Sequence, residues 1–133
     1  MNSNYIGSRM LPLFVAINGF LCVGLGAFGA HGLKATVAPE VMHYWHTGVR
    51  YHMFHVVALL ACAFIASTCE ERPRVARWAV LAACLFLLGI LFFSGSLYLL
   101  VLLPKGWLGL SAAMGGVFFL LGWASLTLCV LRR

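Results

Sequence analysis

Charged residues are scarce in this chain. Of its 133 residues 9% are charged and 63% are hydrophobic, and the mean hydropathy is +1.00, whereas a soluble domain carries about a quarter charged residues and about half apolar ones. So little charge excludes a soluble globular enzyme and a disordered chain, because both need a solvated surface. The composition therefore predicts an integral membrane protein with one domain, residues 1–133.

Acidic residues are rarer still. Three glutamates and no aspartate stand against nine lysines and arginines, which gives a net charge of +6. Without aspartate no Ser/His/Asp triad can be built, and the chain contains no C-x-x-C, H-E-x-x-H or glycine-rich phosphate motif. Because the basic residues lie singly or in short groups between apolar runs, they do not form a nucleic-acid surface. We predict a protein that is not an enzyme and has neither a metal site nor a nucleic-acid partner.

Four long apolar runs dominate what is present. They cover about residues 10–30, 46–68, 78–103 and 107–131. A bilayer core of about 30 Å needs roughly 20 helical residues, and lipid cannot satisfy the open edge of a sheet. The fold class is therefore predicted as an all-α integral membrane protein, a bundle of four transmembrane helices. Pro39 suits the first turn of a helix, so the second helix is expected to begin near Glu40 and to extend beyond the membrane.

Small residues recur at helical spacing in three of the runs. Such stripes let helices approach closely in a membrane. They comprise Ser111, Gly115, Gly122, Ser125 and Cys129 in the fourth run, Ala82, Gly89 and Ser96 in the third, and Asn18, Cys22, Gly26 and Gly29 in the first. We expect these faces to pack against neighbouring helices.

The distribution of lysine and arginine predicts the orientation. On one side of the membrane lie Arg9, Arg72, Arg74, Arg77, Arg132 and Arg133, and on the other lie Lys34, Arg50 and Lys105. Cytoplasmic loops are the ones enriched in lysine and arginine. Both termini are therefore predicted to be cytoplasmic.

All five histidines fall between residues 31 and 55. His31 ends the first run, while His52 and His55 are one turn apart near the start of the second, and we expect all three to lie at one depth. Ionisable groups inside a membrane are candidates for function. These histidines either fix the top of the bundle by hydrogen bonds or bind a ligand.

Two kinds of ligand suit these residues. His31 and His55 are the candidate cofactor residues, because haem iron takes axial histidines from facing helices. Arg50 and Tyr98 are the candidate ligand contacts, since an arginine can hold a phosphate or carboxylate. No cofactor is expected unless the histidines form a haem pair.

Four stretches carry a resemblance to a known family. They are Gly26-Ala-Phe-Gly-Ala-His-Gly-Leu33, Tyr51-His-Met-Phe-His-Val-Val-Ala-Leu-Leu60, Phe93-Ser-Gly-Ser-Leu-Tyr98, and Met114-Gly-Gly116 with Gly122-Trp123. In this order they resemble the YgdD-like small inner-membrane proteins, a family of unknown function. His31 and His55 match the family pattern, whereas Gly48 and His52 depart from it. The resemblance implies a four-helix, multi-pass protein of the bacterial inner membrane and supplies no activity.

Three functions are compatible with these features. We favour a non-enzymatic accessory or scaffold protein, whose partners are the lipid bilayer, other membrane proteins or a second copy of the chain. The first alternative is a membrane protein that binds haem, metal or an anionic lipid through its outer histidines. The second alternative is a small transporter or channel.

Overall fold

The protein is described by a computed structural model that covers residues 3–69, 71–103 and 105–131, with side chains from residue 10 onward. Helix α1 spans Ser3–Phe28 and continues into a π-helical segment, Gly29–Leu33. Helix α2 spans Pro39–Thr68, α3 spans Pro73–Gly89, a second π segment covers Ile90–Ser94, α4 spans Gly95–Leu102 and α5 spans Trp107–Leu131. The described residues contain no strand.

Four of these stretches are long and apolar enough to cross a membrane. We call them the first to fourth spans: Met10–Leu33, Pro39–Thr68, Pro73–Leu102 (α3, the second π segment and α4) and Trp107–Leu131. The predicted all-α bundle of four transmembrane helices is confirmed. The four spans in the described residues place Met10 and Leu131 at the same end of the bundle. That this end is cytoplasmic stays a prediction; of the arginines behind it, Arg132 and Arg133 lie outside the described residues, and only the backbone of Arg9 is described.

Proline sets where two of the helices begin. Pro39 and Pro73 each occupy the first turn, where a missing N–H costs nothing and the fixed φ suits a helix. The second helix thus begins as the sequence indicated and runs for 30 residues without interruption. The third begins at Pro73, five residues before the apolar run at Trp78, because its first turn projects beyond the hydrophobic segment.

The predicted small-residue stripes lie at the helix contacts. The third and fourth spans form the largest contact in the bundle. A Cβ on Gly115 would meet the backbone at Phe93, and one on Gly122 would meet the Phe86 ring at 2.6 Å. Ser96 donates a hydrogen bond to Ser111 across the same contact, 2.8 Å between the oxygens. Close approach of the two backbones therefore depends on these small side chains.

The first span is peripheral. It packs mainly against the second span and less against the third. Among the residues of its most apolar window 11% are buried in the chain, compared with 28–39% in the other spans. The main apolar core accordingly lies between the second, third and fourth spans, around Leu59, Ala82 and Phe86. A smaller core around Trp45 and Tyr98 lies toward the end of the bundle where the first two spans connect, called here the 34–38 end.

Candidate functional site

Three polar side chains from three spans meet inside the bundle. His52 of the second span places Nε2 3.3 Å from Asn18 Oδ1 of the first and Nδ1 3.2 Å from the Tyr98 hydroxyl of the third. His52 is 3% exposed, and Tyr98 is also buried. We call these three residues the polar triad. It joins the peripheral first span to the core through the second span.

The hydrogen bonds of the polar triad have one consistent direction. Asn18 Nδ2 donates to the Phe14 carbonyl oxygen at 2.9 Å, so the amide oxygen is the atom that faces His52. An amide oxygen only accepts, so His52 Nε2–H donates to it. In the neutral imidazole Nδ1 is then the acceptor, and the Tyr98 hydroxyl donates to it. The chain therefore runs from Tyr98 through His52 and Asn18 to a backbone carbonyl.

This arrangement fits a structural role better than proton conduction. A carbonyl oxygen has no proton to pass on, so the chain of donors ends at Phe14. Both ring nitrogens of His52 are engaged. In lipid, an unsatisfied polar side chain would be costly, and hydrogen bonds between spans remove that cost. The triad thus satisfies three polar residues and fastens three spans together.

Trp45 adjoins the triad on the 34–38 side. Its indole Nε1 donates to the Leu25 carbonyl oxygen of the first span at 2.9 Å, and its ring lies 4.8 Å from that of Tyr98. Gly29 admits the indole, because a Cβ there would overlap the ring. Gly48 admits Tyr98 in the same way, with the ring 2.8 Å from a Cβ position. Both glycines are therefore needed for close packing around this cluster.

His55 belongs to a second cluster, which is aromatic. Its Nδ1 donates to the Tyr51 carbonyl oxygen at 2.8 Å, and its Nε2 accepts from the Trp123 indole at 3.3 Å. Its ring stacks on Phe119, with centroids 3.5 Å apart and planes at 6°. Both nitrogens and one face of the imidazole are thus occupied. His55 links the second span to the fourth.

The structure does not bring His31 and His55 together. His31 lies exposed in the π segment that ends the first span, whereas Asn18, much further down the same span, is level with His52. At 1.5 Å per residue the two histidines are about 24 Å apart along the bundle. The expectation of a common depth was wrong, because the second helix already begins at Pro39 and His55 lies more than four turns into it. No axial haem pair forms from these residues.

Arg50 and Tyr98 are also apart. Arg50 is exposed, whereas Gly48 and His52, on either side of it in the same helix, face Tyr98. Residues two apart in a helix point to nearly opposite faces. Tyr98 consequently lies in the polar triad and Arg50 on the outer surface. Among the described side chains, no group of three His, Cys, Asp or Glu is placed to hold a metal ion.

The remaining histidines face a surface groove. His43 and His46 line it together with Lys34 at the 34–38 end. One further polar atom stands out in the interior: the hydroxyl oxygen of Ser94, at the end of the second π segment, is fully buried without a hydrogen-bond partner in the described structure.

Comparison with known proteins assigns the chain to a family. A family model described as "Protein of unknown function (DUF423)" matches residues 25–116, which include most of the polar triad and the whole groove. The chain belongs to this family. The YgdD-like resemblance seen in the sequence is thereby confirmed.

Several DUF423 relatives are similar over nearly their whole length. The UPF0382 membrane protein YwdK of Bacillus subtilis is 40% identical over 126 residues, 93% of this chain and 98% of the relative. A UPF0382 membrane protein of Haemophilus influenzae is 42% identical over 112 residues, 84% of this chain and 86% of its own. The UPF0382 inner membrane protein YgdD of Escherichia coli is 38% identical over 125 residues, 94% and 92% of the two chains. No solved structure matches.

These relatives confirm the predicted location and class. The protein is a small multi-pass protein of the bacterial inner membrane, as the name of the Escherichia coli relative and the four membrane-spanning helices both indicate. The family has no assigned activity.

Sequence reasoning missed the pairing of Asn18 with His52. Asn18 was grouped with the small packing residues of the first span, although a side-chain amide in an apolar run needs a hydrogen-bond partner inside the membrane. That isolation was the available signal. Trp123 and Trp45 gave no comparable signal, because tryptophan is common near membrane interfaces.

Proposed function

We propose that the protein is a non-enzymatic accessory or scaffold component of the inner membrane that works by associating with a second copy of itself. The observation that carries the proposal is the peripheral position of the first span, with 11% of its most apolar window buried. Phe20 and Val23 on this span are 79% and 75% exposed. Beside them, no atom lies within 4 Å of a Cβ position on Gly24, so another helix can approach there closely.

The interior favours a role without chemistry. His52 and His55, the two buried histidines, each have both ring nitrogens engaged in hydrogen bonds: those of His52 reach two other spans, and those of His55 reach its own helix and the fourth span. A general base needs a free lone pair within reach of a substrate. Neither histidine offers one, and a symmetric dimer that places one first span against another leaves both hydrogen-bonded clusters intact.

Site-specific photocrosslinking in intact membranes tests this proposal. A photoreactive phenylalanine analogue replaces Phe20 in one variant and Leu120 in a matched control, because Leu120 is 72% exposed on the fourth span. Two differently tagged copies are expressed together, and crosslinked pairs carrying both tags are counted. We expect pairs from position 20 at several times the yield from position 120. Equal yields indicate random collision, and an absence of pairs indicates a monomer; either result refutes the proposal.

A further inference from the structure

A groove of about 450 Å³ opens at the 34–38 end of the bundle. The first π segment forms one wall through Gly29 and Ala30, and the first two turns of the second span form the other. This end of both spans is where hydrocarbon gives way to lipid headgroups, since the second helix extends beyond the length needed to cross the bilayer. The groove therefore lies at the depth of the lipid phosphates.

The charged lining of the groove is basic. Lys34, His43 and His46 line it and are exposed, and no acidic side chain is among its described lining residues. Glu40 lies in the same turn of the second helix but does not line the groove. The remaining lining is apolar and includes Val37 and Met42. A rim that carries a lysine and two histidines above an apolar floor suits a molecule with an anionic head and a hydrocarbon body.

The floor of the groove is fixed before any ligand arrives. Trp45, which is buried behind Met42, is tied to the first span by its hydrogen bond to the Leu25 carbonyl oxygen. Gly29 lies against its indole. On the rim, His43 Nδ1–H donates to the Glu40 carbonyl oxygen at 2.7 Å, which orients the ring. A preformed site loses less entropy when it binds.

We infer that this groove binds the phosphate of an anionic phospholipid in the leaflet next to the 34–38 turn. Lys34 contacts the phosphate oxygens as a point charge. His46 donates a hydrogen bond to the same group, the His43 ring lies beside it, and Val37 and Met42 contact the glycerol and the first methylenes of the acyl chains. This inference does not rest on the proposed self-association, because the groove lies within one chain.

Native mass spectrometry of the full chain in mild detergent tests the inference. Phosphatidylglycerol or phosphatidylcholine is titrated, and bound lipid is counted for wild type, Lys34→Gln, Ala30→Phe and the control Lys105→Gln. Lys105 belongs to the turn between the third and fourth spans, at the same end of the bundle but outside the groove. Ala30→Phe fills the groove without changing charge.

We expect one phosphatidylglycerol to bind wild type at least fivefold more tightly than phosphatidylcholine. Lys34→Gln should lower that preference about fivefold, because a basic residue near a lipid surface contributes about 1 kcal/mol. Ala30→Phe should lower the preference by a similar factor, and Lys105→Gln should leave it unchanged. Equal losses in Lys34→Gln and Lys105→Gln indicate general surface charge and overturn the inference. If inorganic phosphate at about a tenfold excess over lipid displaces the bound lipid, the site belongs to free phosphate and the inference is overturned as well.

Discussion

Adding one methyl group to Gly115 tests whether the third and fourth spans are held by direct contact of their backbones. A Cβ at this position would lie 2.7 Å from the Phe92 carbonyl carbon and from Phe93 Cα, and closer still to Phe93 N. Ordinary contact begins at 3.4 Å, so the helices must separate by at least about 0.7 Å. Backbone atoms cannot turn aside as a flexible side chain can, so the displacement spreads along the interface.

The size of the effect follows from two opposing terms. Overpacking of a well-packed contact costs about 1–3 kcal/mol, whereas replacing a helical glycine by alanine contributes about 0.5–1 kcal/mol of stability. For Gly115→Ala we expect a net loss of about 1–2 kcal/mol. Gly116→Ala is the matched control, because the nearest atom to its Cβ position is Phe93 Cδ2 at 3.9 Å. It has the favourable term alone and should gain about 0.5–1 kcal/mol.

Reversible unfolding in mixed micelles of dodecyl sulfate and maltoside measures both variants in the same assay. The two substitutions are chemically identical and adjacent in sequence, so any difference in unfolding free energy reports the backbone contact. We expect a difference of about 1.5–3 kcal/mol. If Gly115→Ala and Gly116→Ala have the same unfolding free energy, the close approach of the third and fourth spans is refuted.

Three further outcomes are expected. His52→Ala should lose about 1–2 kcal/mol in the same assay, because it removes the hydrogen-bond partner of buried Tyr98 and of half-buried Asn18. His52→Gln should recover part of this loss, and equal loss in both variants would contradict a hydrogen-bonding role. Trp123→Phe keeps an aromatic ring but removes the hydrogen-bond donor to His55, so it should lower the unfolding free energy by about 0.6 kcal/mol. In a His55→Phe background the same change should have no effect. In a chain whose sole cysteine is Cys69, an impermeant maleimide should label that cysteine from the cytoplasmic side. In a cysteine-free chain that carries Lys105→Cys, the reagent should label the new cysteine from the opposite side. The reverse pattern would invert the predicted orientation.

Hydropathy and spacing predict the fold well because in lipid they are decisive. Each apolar run must become a helix, since nothing else satisfies its backbone. Small residues that recur on one face of a helix then mark the packing face, as Gly115 and Gly122, two turns apart, do against the third span. The π segments have no such signal. The second of them covers Ile90–Ser94, a mostly apolar stretch whose composition is that of any membrane helix, and it packs against the fourth span.

The candidate site was harder to predict, because it depends on the relative height of helices. Treating the second helix as entering the membrane near residue 46 put His52 and His55 at the level of His31. Starting it at Pro39 and counting 1.5 Å per residue places them about 20 Å and about 24 Å below the start of the helix. Proline at the first turn was visible in the sequence, so the error came from not carrying that start through to the histidines.

Pairing of the polar residues needs one more piece of information, the rotation of each helix. A lone amide in the first span requires a partner, and His52 and His55 are both at suitable heights once the second helix is placed. They differ by three residues, or about 60° around the axis, so a small rotation decides which of them faces Asn18 and which faces Trp123. Gly48 permits the rotation that is observed, because a glycine at this position lets the second helix approach the Tyr98 ring.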